Sequence, residues 1–387
     1  MVLLNQVGKG TWHRAAYFSR HLVRRGHEVT LMAMSRTARL LLEERDLDGV
    51  RVVETPDLLP GAMRSGWDLW DTLRRLLWLR GRRFDIVHAF EARPVVIFPA
   101  LFAKQGGAKL VMDWCDWFGR GGSVEERPPL MRFFLRPIET FFEERFRGCA
   151  DGTLTINSFL RDRAIALGVD PKSITVLYNG TDTGVPVWEV SEARQAVGLP
   201  AGVPLIGYVG GIYPRDVELM AAAFNRVLHT LPEAKLVLAG YFNREIESLL
   251  DHPEAVIRTG WLTKEKMFQY VAGCDLCWLP MYNSGTNRGR WPSKLSDYMA
   301  VGRPTVATAV GDLAVLIPQY RIGLVTNDDP DDFATHTVEL LVDKKRREEV
   351  GRTARRIGVD VLSWERMTDK LIKVYDQIVK YDEPDKV

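Results

Sequence analysis

The stretch "RWPSKLSDYMAVGRPTVAT", residues 290 to 308, sets a proline, a lysine and an aspartate ahead of small and apolar residues, a Gly-Arg-Pro turn and a β-branched run. The pattern predicts a helix over 293–301 that turns directly into a buried strand. Lys294 falls in the first turn of that helix and Asp297 one turn later on a nearby face. A lysine at a helix mouth can neutralise phosphate, and a carboxylate is a natural acceptor for the two hydroxyls of a ribose. The alternative is a plain surface pair three residues apart, worth about 0.2–0.5 kcal/mol.

Outward from this segment, the second half of the chain alternates apolar runs with amphipathic ones: "PLIGYVGG", "DVELMAAAFNRVLHTLP", "AKLVLAG", "AVIRTGW", "EKMFQYVAG" and "DLCWLPM". Such alternation predicts parallel βαβ units with helices on both faces of a sheet. "IGYVGGIYPRD" puts Gly210 and Gly211 at the end of the first of these strands, with Arg215 on the following turn. Glycines allow close backbone approach and an arginine clamps phosphate with paired donors. "MYNSGTNRG" reads as a polar loop at the same edge. Gly240, Trp261, Asn287 and Arg290 complete the ligand-binding set expected on this side.

The first half follows the same scheme, with "MVLLN", "TWHRAAYFSRHLVRRG", "HEVTLMAM", "FDIVHAF" and "AKLVMDW". "NQVGKGTWHR" places Gly8 and Gly10 between the first strand and a helix, where helix N–H groups face a negatively charged ligand. A dinucleotide fingerprint would need a third glycine and an acidic residue about 20 positions on, and both are missing. "SITVLYNGTDTGVPVWEV" carries the linker, near residues 179 to 190. The expected division is 1–180, 181–362, and a C-terminal helix and tail at 363–387 that packs back toward the first domain, the tail fraying. Two doubly wound α/β domains of this kind are expected to face a central cleft and to bind ligand at the carboxyl edges of their strands.

Composition bounds the function. With 46% hydrophobic and 26% charged residues over 387 positions, the chain is globular and long enough for two cores. "PVVIFPALFA" is too short for the ~20 residues of a membrane span. The start has no basic and then apolar leader pattern, so a cytoplasmic location is expected. Cys115, Cys149, Cys274 and Cys277 are too few for a disulfide framework; the Cys274/Cys277 pair lies in a strand-like run and reads as core thiols, with a metal or redox site as the alternative. No compact ligand cluster suggests a metal. Lys and Arg outnumber Asp and Glu by 27 to 21 over residues 1–178, and are outnumbered 25 to 29 thereafter. The basic half is expected to meet an anionic acceptor or a membrane surface; solvated surface charge is the alternative.

"WPSKLSDYMAVGRPTVAT" resembles the donor-binding segment of GT-B glycosyltransferases, in particular the retaining family 4, where "PxKLxEYMAxGxPVVA" is common. "HLVRRGHEVTLMA" is similar to that family's first helix and second strand, "FDIVHAF" to its "DVVHxH" strand, "ITVLYNGTD" to its "IxVIPNGVD" linker and "YVGGIYPRD" to its "YVGRLxxEKG" phosphate turn. The resemblance implies a UDP- or GDP-linked sugar as donor, and as acceptor a sugar, a lipid-linked glycan or a small molecule. No further cofactor, no metal and no nucleic acid are implied. It makes Asp297 the ribose ligand and Gly8 and Gly10 the turn that approaches the donor phosphates. Asp116, in "MDWCDWFG", falls near the family's "HD" position, with Cys115 where histidine is usual. The first glutamate of the family's acidic pair would fall at Gly289, and the basic pair of the phosphate turn at Gly211 and Asp216. Arg215, Arg290 and Lys294 are the candidates to replace that charge, and Asp113 or Asp116 to orient or deprotonate the acceptor. A GT-B scaffold without turnover and a GT-B sugar-nucleotide epimerase are the alternatives. "WDLWDTLRRLLWLRGRRF" and "LMRFFLRPIETFF" are expected either to lie in a membrane interface, making the protein peripheral at the inner face of the cell membrane, or to pack on the sheet.

Overall fold

The computed structural model describes residues 1–58 and 66–380. In chain order the first elements are β1 (Val2–Gln6), α1 (Trp12–Val23), β2 (Thr30–Met34), β3 (Glu43–Leu47), β4 (Val50–Thr55), α2 (Leu69–Leu79), β5 (Ile86–Phe90), α3 (Pro94–Gln105), β6 (Lys109–Trp114), α4 (Pro129–Arg145), β7 (Gly152–Thr155), α5 (Ser158–Ala166) and β8 (Ile174–Val176). Their strands form one sheet in the order β3-β4-β2-β1-β5-β6-β7-β8. Pairing is parallel except at the edge, where β3 runs antiparallel to β4.

The second series is α6 (Val190–Val197), β9 (Leu205–Val209), α7 (Pro214–Thr230), β10 (Lys235–Ala239), β11 (Val256–Arg258), α8 (Lys264–Ala272), β12 (Leu276–Leu279), α9 (Gly285–Arg288), α10 (Ser293–Ala300), β13 (Thr305–Thr308), α11 (Leu313–Tyr320), β14 (Gly323–Thr326), α12 (Pro330–Val342) and α13 (Lys344–Asp360). Its sheet, β11-β10-β9-β12-β13-β14, is parallel throughout. The strands read as near-continuous apolar runs because helices cover both faces. Phe224 of α7 and Phe333 of α12 meet the ring of Trp278 edge-on, at 6.2 and 5.2 Å between centroids. A last helix, α14 (Trp364–Lys380), closes the described chain.

The chain folds as two compact units. One holds Met1–Asn179, Gly289–Trp291 and the residues from Trp364 onward; the other holds Gly180–Arg288 and Pro292–Ser363. Residues 289–291, which the sequence reading gave to the second domain, thus group with the first. In that unit Trp364 stacks on Tyr17 at 4.7 Å, and Arg25 pairs with Asp369 at 2.5 Å. The Tyr375 hydroxyl lies 2.6 Å from His88 Nδ1 in the buried interior. The fraying expected of the tail falls on 381–387, outside the described residues.

The two-cysteine motif is core. Cys274 and Cys277 are buried around Gly207 of β9, where a Cβ would come within 2.9 and 3.0 Å of the two sulfurs. Burial pushes the Cys274 thiol up to about 12 and also raises Cys277 well above the ordinary thiol value, so neither is a thiolate at neutral pH.

Candidate active site

In the second unit the carboxyl ends of neighbouring strands β9 and β10 open on left-handed glycines, Gly210 (φ +68°) and Gly240 (φ +85°). Only glycine adopts such angles without strain, and each lets the chain turn sharply off the sheet. The first turn leads through Gly211 into α7, whose Pro214 fixes the opening turn and leaves its N–H groups at the sheet edge. Lys294 Nζ donates to the Gly211 carbonyl at 3.0 Å and sits 5.0 Å from the centre of the Tyr208 ring. Tyr208 Oη donates to the same carbonyl at 3.0 Å. Arg215 is exposed, its guanidinium 5.4 Å from the Tyr282 ring centre. A lysine and an arginine thus border one glycine turn at a helix N-terminus, the arrangement an oxyanion needs.

Asp297 is half-buried on α10, a helix that ends at Ala300, one residue before its expected end. Burial pushes its carboxyl up to about 7, against the pull of Lys264 and Lys294 and reinforced by Asp182. Trp261, after β11, is 82% exposed and lies parallel to Tyr241, the residue after Gly240, at 5.0 Å. Two stacked, water-facing rings beside a glycine turn form a platform for a planar group.

The segment of Asn287 differs from the expected loop: it is α9, and the buried Nδ2 of Asn287 donates to both Asp216 oxygens at 2.9 and 3.1 Å and to the Tyr282 carbonyl at 2.9 Å. Asp216, which stands where the family pattern has a basic residue, is buried and also accepts from the Tyr282 N–H at 2.9 Å. These two residues hold the β12–α9 connection to α7.

In the first unit Gly8 and Gly10 both have positive φ, +76° and +53°. Arg36 Nε donates to the Val7 carbonyl at 2.8 Å, and Asn5 Oδ1 accepts from Thr11 N–H and Oγ1 at 3.0 and 2.7 Å. A Cβ at Gly10 would lie 2.6 Å from the Asn5 side chain, so the turn has room only for glycine.

Asp113, expected beside the acceptor, is engaged within the first unit. It is fully buried, its carboxylate bound by Arg14 at 2.8 and 3.3 Å and 3.4 Å from His88 Nε2. Although burial raises it, Arg14 and His88 hold it down at about 2. Arg14 continues to the Leu177 and Tyr178 carbonyls, so this ion pair fastens α1 to β6 and the end of the first unit. Asp116, three residues on, is half-buried and forms an isolated antiparallel bridge with Arg290. Burial pushes it up to about 6 against the pull of Arg290 and Arg93. Gly289, at the position of the family's first glutamate, accepts from the Trp117 N–H through its carbonyl at 3.0 Å.

Sequence reasoning missed Glu91. It adopts left-handed backbone (φ +73°), is buried, and accepts from the N–H groups of Cys115 and Asp116 at 2.6 and 3.0 Å while pairing with Arg147 at 3.3 Å. Tyr208, Tyr241 and Asn5 were missed as well. Among the described residues no group of three His, Cys, Asp or Glu side chains is placed to hold a metal ion.

Residues 9–180 match the model of a glycosyl transferase 4-like domain, and residues 203–343 that of glycosyl transferases group 1. The chain belongs to this GT-B glycosyltransferase family. A D-inositol 3-phosphate glycosyltransferase of Nocardioides is 25% identical over 53% of this chain and 49% of its own length. The Arabidopsis thaliana sulfoquinovosyl transferase SQD2 is 27% identical over 74% of this chain and 55% of its own. The chain therefore spans about half the length of these relatives. Among solved structures, sucrose-phosphate synthase from Thermosynechococcus elongatus superposes with a TM-score of 0.75 at 16% identity, covering 99% of this chain and 96% of that one. WaaG, a glycosyltransferase involved in lipopolysaccharide biosynthesis, gives 0.70 at 17% over 97% and 98%. Anabaena HepE in complex with UDP-glucose gives 0.66 at 15% over 97% of each. These likenesses establish the GT-B fold of this family member.

Proposed function

We propose that the chain transfers a sugar from a nucleoside-diphosphate donor to an acceptor hydroxyl, with retention of anomeric configuration and without a metal ion. The observation that carries this reading is the edge of the second sheet, where Gly210, Lys294, Arg215 and the α7 N-terminus stand together in one unit with Asp297 on α10. In the reaction the bond between the sugar C1 and the diphosphate oxygen breaks, and the acceptor oxygen bonds to C1 on the same face. Negative charge grows on the departing diphosphate, so cations and N–H groups already aimed at it lower the barrier. The acceptor proton passes to the leaving phosphate, and Asp116 orients the acceptor hydroxyl. Asp297 accepts from the ribose hydroxyls, and Trp261 with Tyr241 offers a stacking surface for the base.

Lipid-linked or soluble glycans both fit an acceptor that approaches the basic unit. A second reading, a binding protein without turnover, is favoured by three positions: Gly211 bears no side chain, Asp216 is enclosed by Asn287, and Gly289 engages Trp117 through its backbone. Titration calorimetry of the full chain with UDP and with GDP tests the donor site. One of the two binds, and Asp297→Ala weakens it by ~1–3 kcal/mol because two ribose donors lose their acceptor. Equal affinity in the variant removes Asp297 from the site.

A further inference from the structure

Past the end of β6, the backbone N–H groups of residues 115–119 each have an acceptor built into the first unit. Those of Cys115 and Asp116 donate to one oxygen of Glu91, Oε1, at 2.6 and 3.0 Å. That of Trp117 donates to the Gly289 carbonyl at 3.0 Å, and those of Phe118 and Gly119 donate to the two oxygens of Glu143 at 2.9 and 2.6 Å. Successive N–H groups beyond the carboxyl end of a parallel strand are where a ligand oxyanion ordinarily sits. Here two carboxylates of the protein occupy that place. What this loop can present to a ligand is therefore side chains. Cys115 is buried with its Sγ 3.5 Å from Asp113 Oδ1, whereas Asp116 is half-buried.

The two glutamates are themselves fixed. Glu91 follows β5 directly, and its own N–H donates to the Asp113 carbonyl at 3.0 Å. Its Oε2 takes Arg147 Nη2 at 3.3 Å. On α4 the buried residues are Glu139 and Glu143; Glu139 takes the Arg93 guanidinium at 2.7 and 3.0 Å. Glu143 also accepts from Trp114 Nε1 at 3.0 Å, and its carbonyl accepts from Arg147 Nε at 2.9 Å. Arg147 is buried with its guanidinium 4.1 Å from the centre of the Trp114 ring. Trp114 Nε1 in turn donates to the Asp116 carbonyl at 3.0 Å. An acid, a cation and a second acid thus run from β5 to α4 around one loop. The backbone of Glu91 is left-handed (φ +73°), which a residue other than glycine keeps only where its surroundings hold it. If the turn alone mattered, glycine would serve there without strain. What the carboxylate holds accounts for the glutamate.

We infer that Glu91 is a positioning residue for the transfer reaction: with Arg147 and Glu143 it fixes the backbone of residues 115–119, and so the direction in which Asp116 meets the acceptor hydroxyl. The catalytic half of this rests on the transfer reading above; the hold on the loop does not, and two measurements keep them apart. In full-length protein labelled with 15N-cysteine there are four such amides, and Cys115→Ser assigns the one of interest. Its short bond places the amide proton downfield and slows exchange with solvent. Glu91→Gln, which keeps an acceptor oxygen, retains most of that shift, while Glu91→Ala loses it and exchanges about tenfold faster or more. A Cys115 amide unmoved by Glu91→Ala overturns the inference, whatever the chain turns over.

The second measurement is turnover of UDP- and GDP-linked sugars. Glu91→Ala lowers kcat by about 100-fold and leaves the donor KM near its wild-type value, and Glu91→Gln loses a smaller part. Made in an Asp116→Asn background, the same substitutions cost little more, because the residue they act through is already changed. Losses that add in full in that background overturn the positioning role and leave Glu91 a structural residue. If Glu91→Ala does not fold, Glu91→Gln carries both measurements, its smaller amide shift and its non-additivity with Asp116→Asn being the expected results. A wild type that turns over no donor overturns the transfer reading and with it the role in positioning, while the amide still decides whether Glu91 holds the loop.

Discussion

At the scale of single residues, Asp297 makes the sharpest demand. Its carboxyl titrates at about 7, and an acceptor for two ribose hydroxyls must be deprotonated. Nucleotide affinity therefore rises with pH between about 6 and 8, and Asp297→Asn abolishes that dependence; calorimetry across this range is the check. The same shift has a stability consequence. Between the unfolded carboxylate value, about 4, and about 7, the folded chain holds a proton that the unfolded chain has released, so stability falls as pH rises through that window. Asp297→Asn, which cannot ionise, should melt progressively higher than wild type over the same window. Arg215 and Lys294 form the second residue-scale case. Each alanine variant should lose turnover more than melting temperature, and the double variant should lose about 100-fold or more, since each removes charge stabilisation on the leaving diphosphate. A double variant with wild-type turnover would detach both residues from the phosphate. Which residues could be read from sequence follows from where their partners lie. Gly210 and Gly8 were legible as turns, because a glycine between strand and helix marks a backbone that takes positive φ, +68° and +76° here. The internal bonds of Asp113 and Asn287 were not legible, because their partners Arg14 and Asp216 lie 99 and 71 positions away.

Elements were legible wherever apolar period and strand length agreed, as in β9, β10, β12 and β13. α10 came within one residue, its Gly302 stopping the helix with a left-handed turn (φ +65°). Helix faces were harder. In α2 the sequence offers tryptophans, leucines and arginines together, yet Trp78 is buried and Arg75 is wholly enclosed, bound to Asp71, the Leu3 and Val95 carbonyls and Thr55. Period alone could not show that Arg75 is enclosed, because its acceptors outside α2 lie on β1, β4 and α3. α4 inverts for the same reason, its glutamates being matched by Arg93 and by loop N–H groups far off in sequence. α14 gives an element-scale prediction. Burial holds His88 below its usual value and hence neutral, with Tyr375 Oη against its Nδ1. Tyr375→Phe should destabilise the first unit by ~1–3 kcal/mol in denaturant unfolding, leaving His88 short of a partner. An unchanged midpoint would show that α14 is held by Trp364 and Asp369 and not through this network.

For the whole molecule, each unit carries a sheet edge that opens on left-handed glycines, Gly8 and Gly10 in the first and Gly210 and Gly240 in the second. Membership fixes the fold, while three positions where this chain departs from the family pattern, Gly211, Asp216 and Gly289, decide between transfer and mere binding. The measurement that separates them is the release of nucleotide from a panel of UDP- and GDP-linked sugars incubated with the full chain in chelator, with the anomer of the freed or transferred sugar followed by NMR. The account predicts turnover of one donor class, insensitive to chelator, with the product first appearing in the donor's own configuration. Tight nucleotide binding with no sugar released from any donor would contradict it.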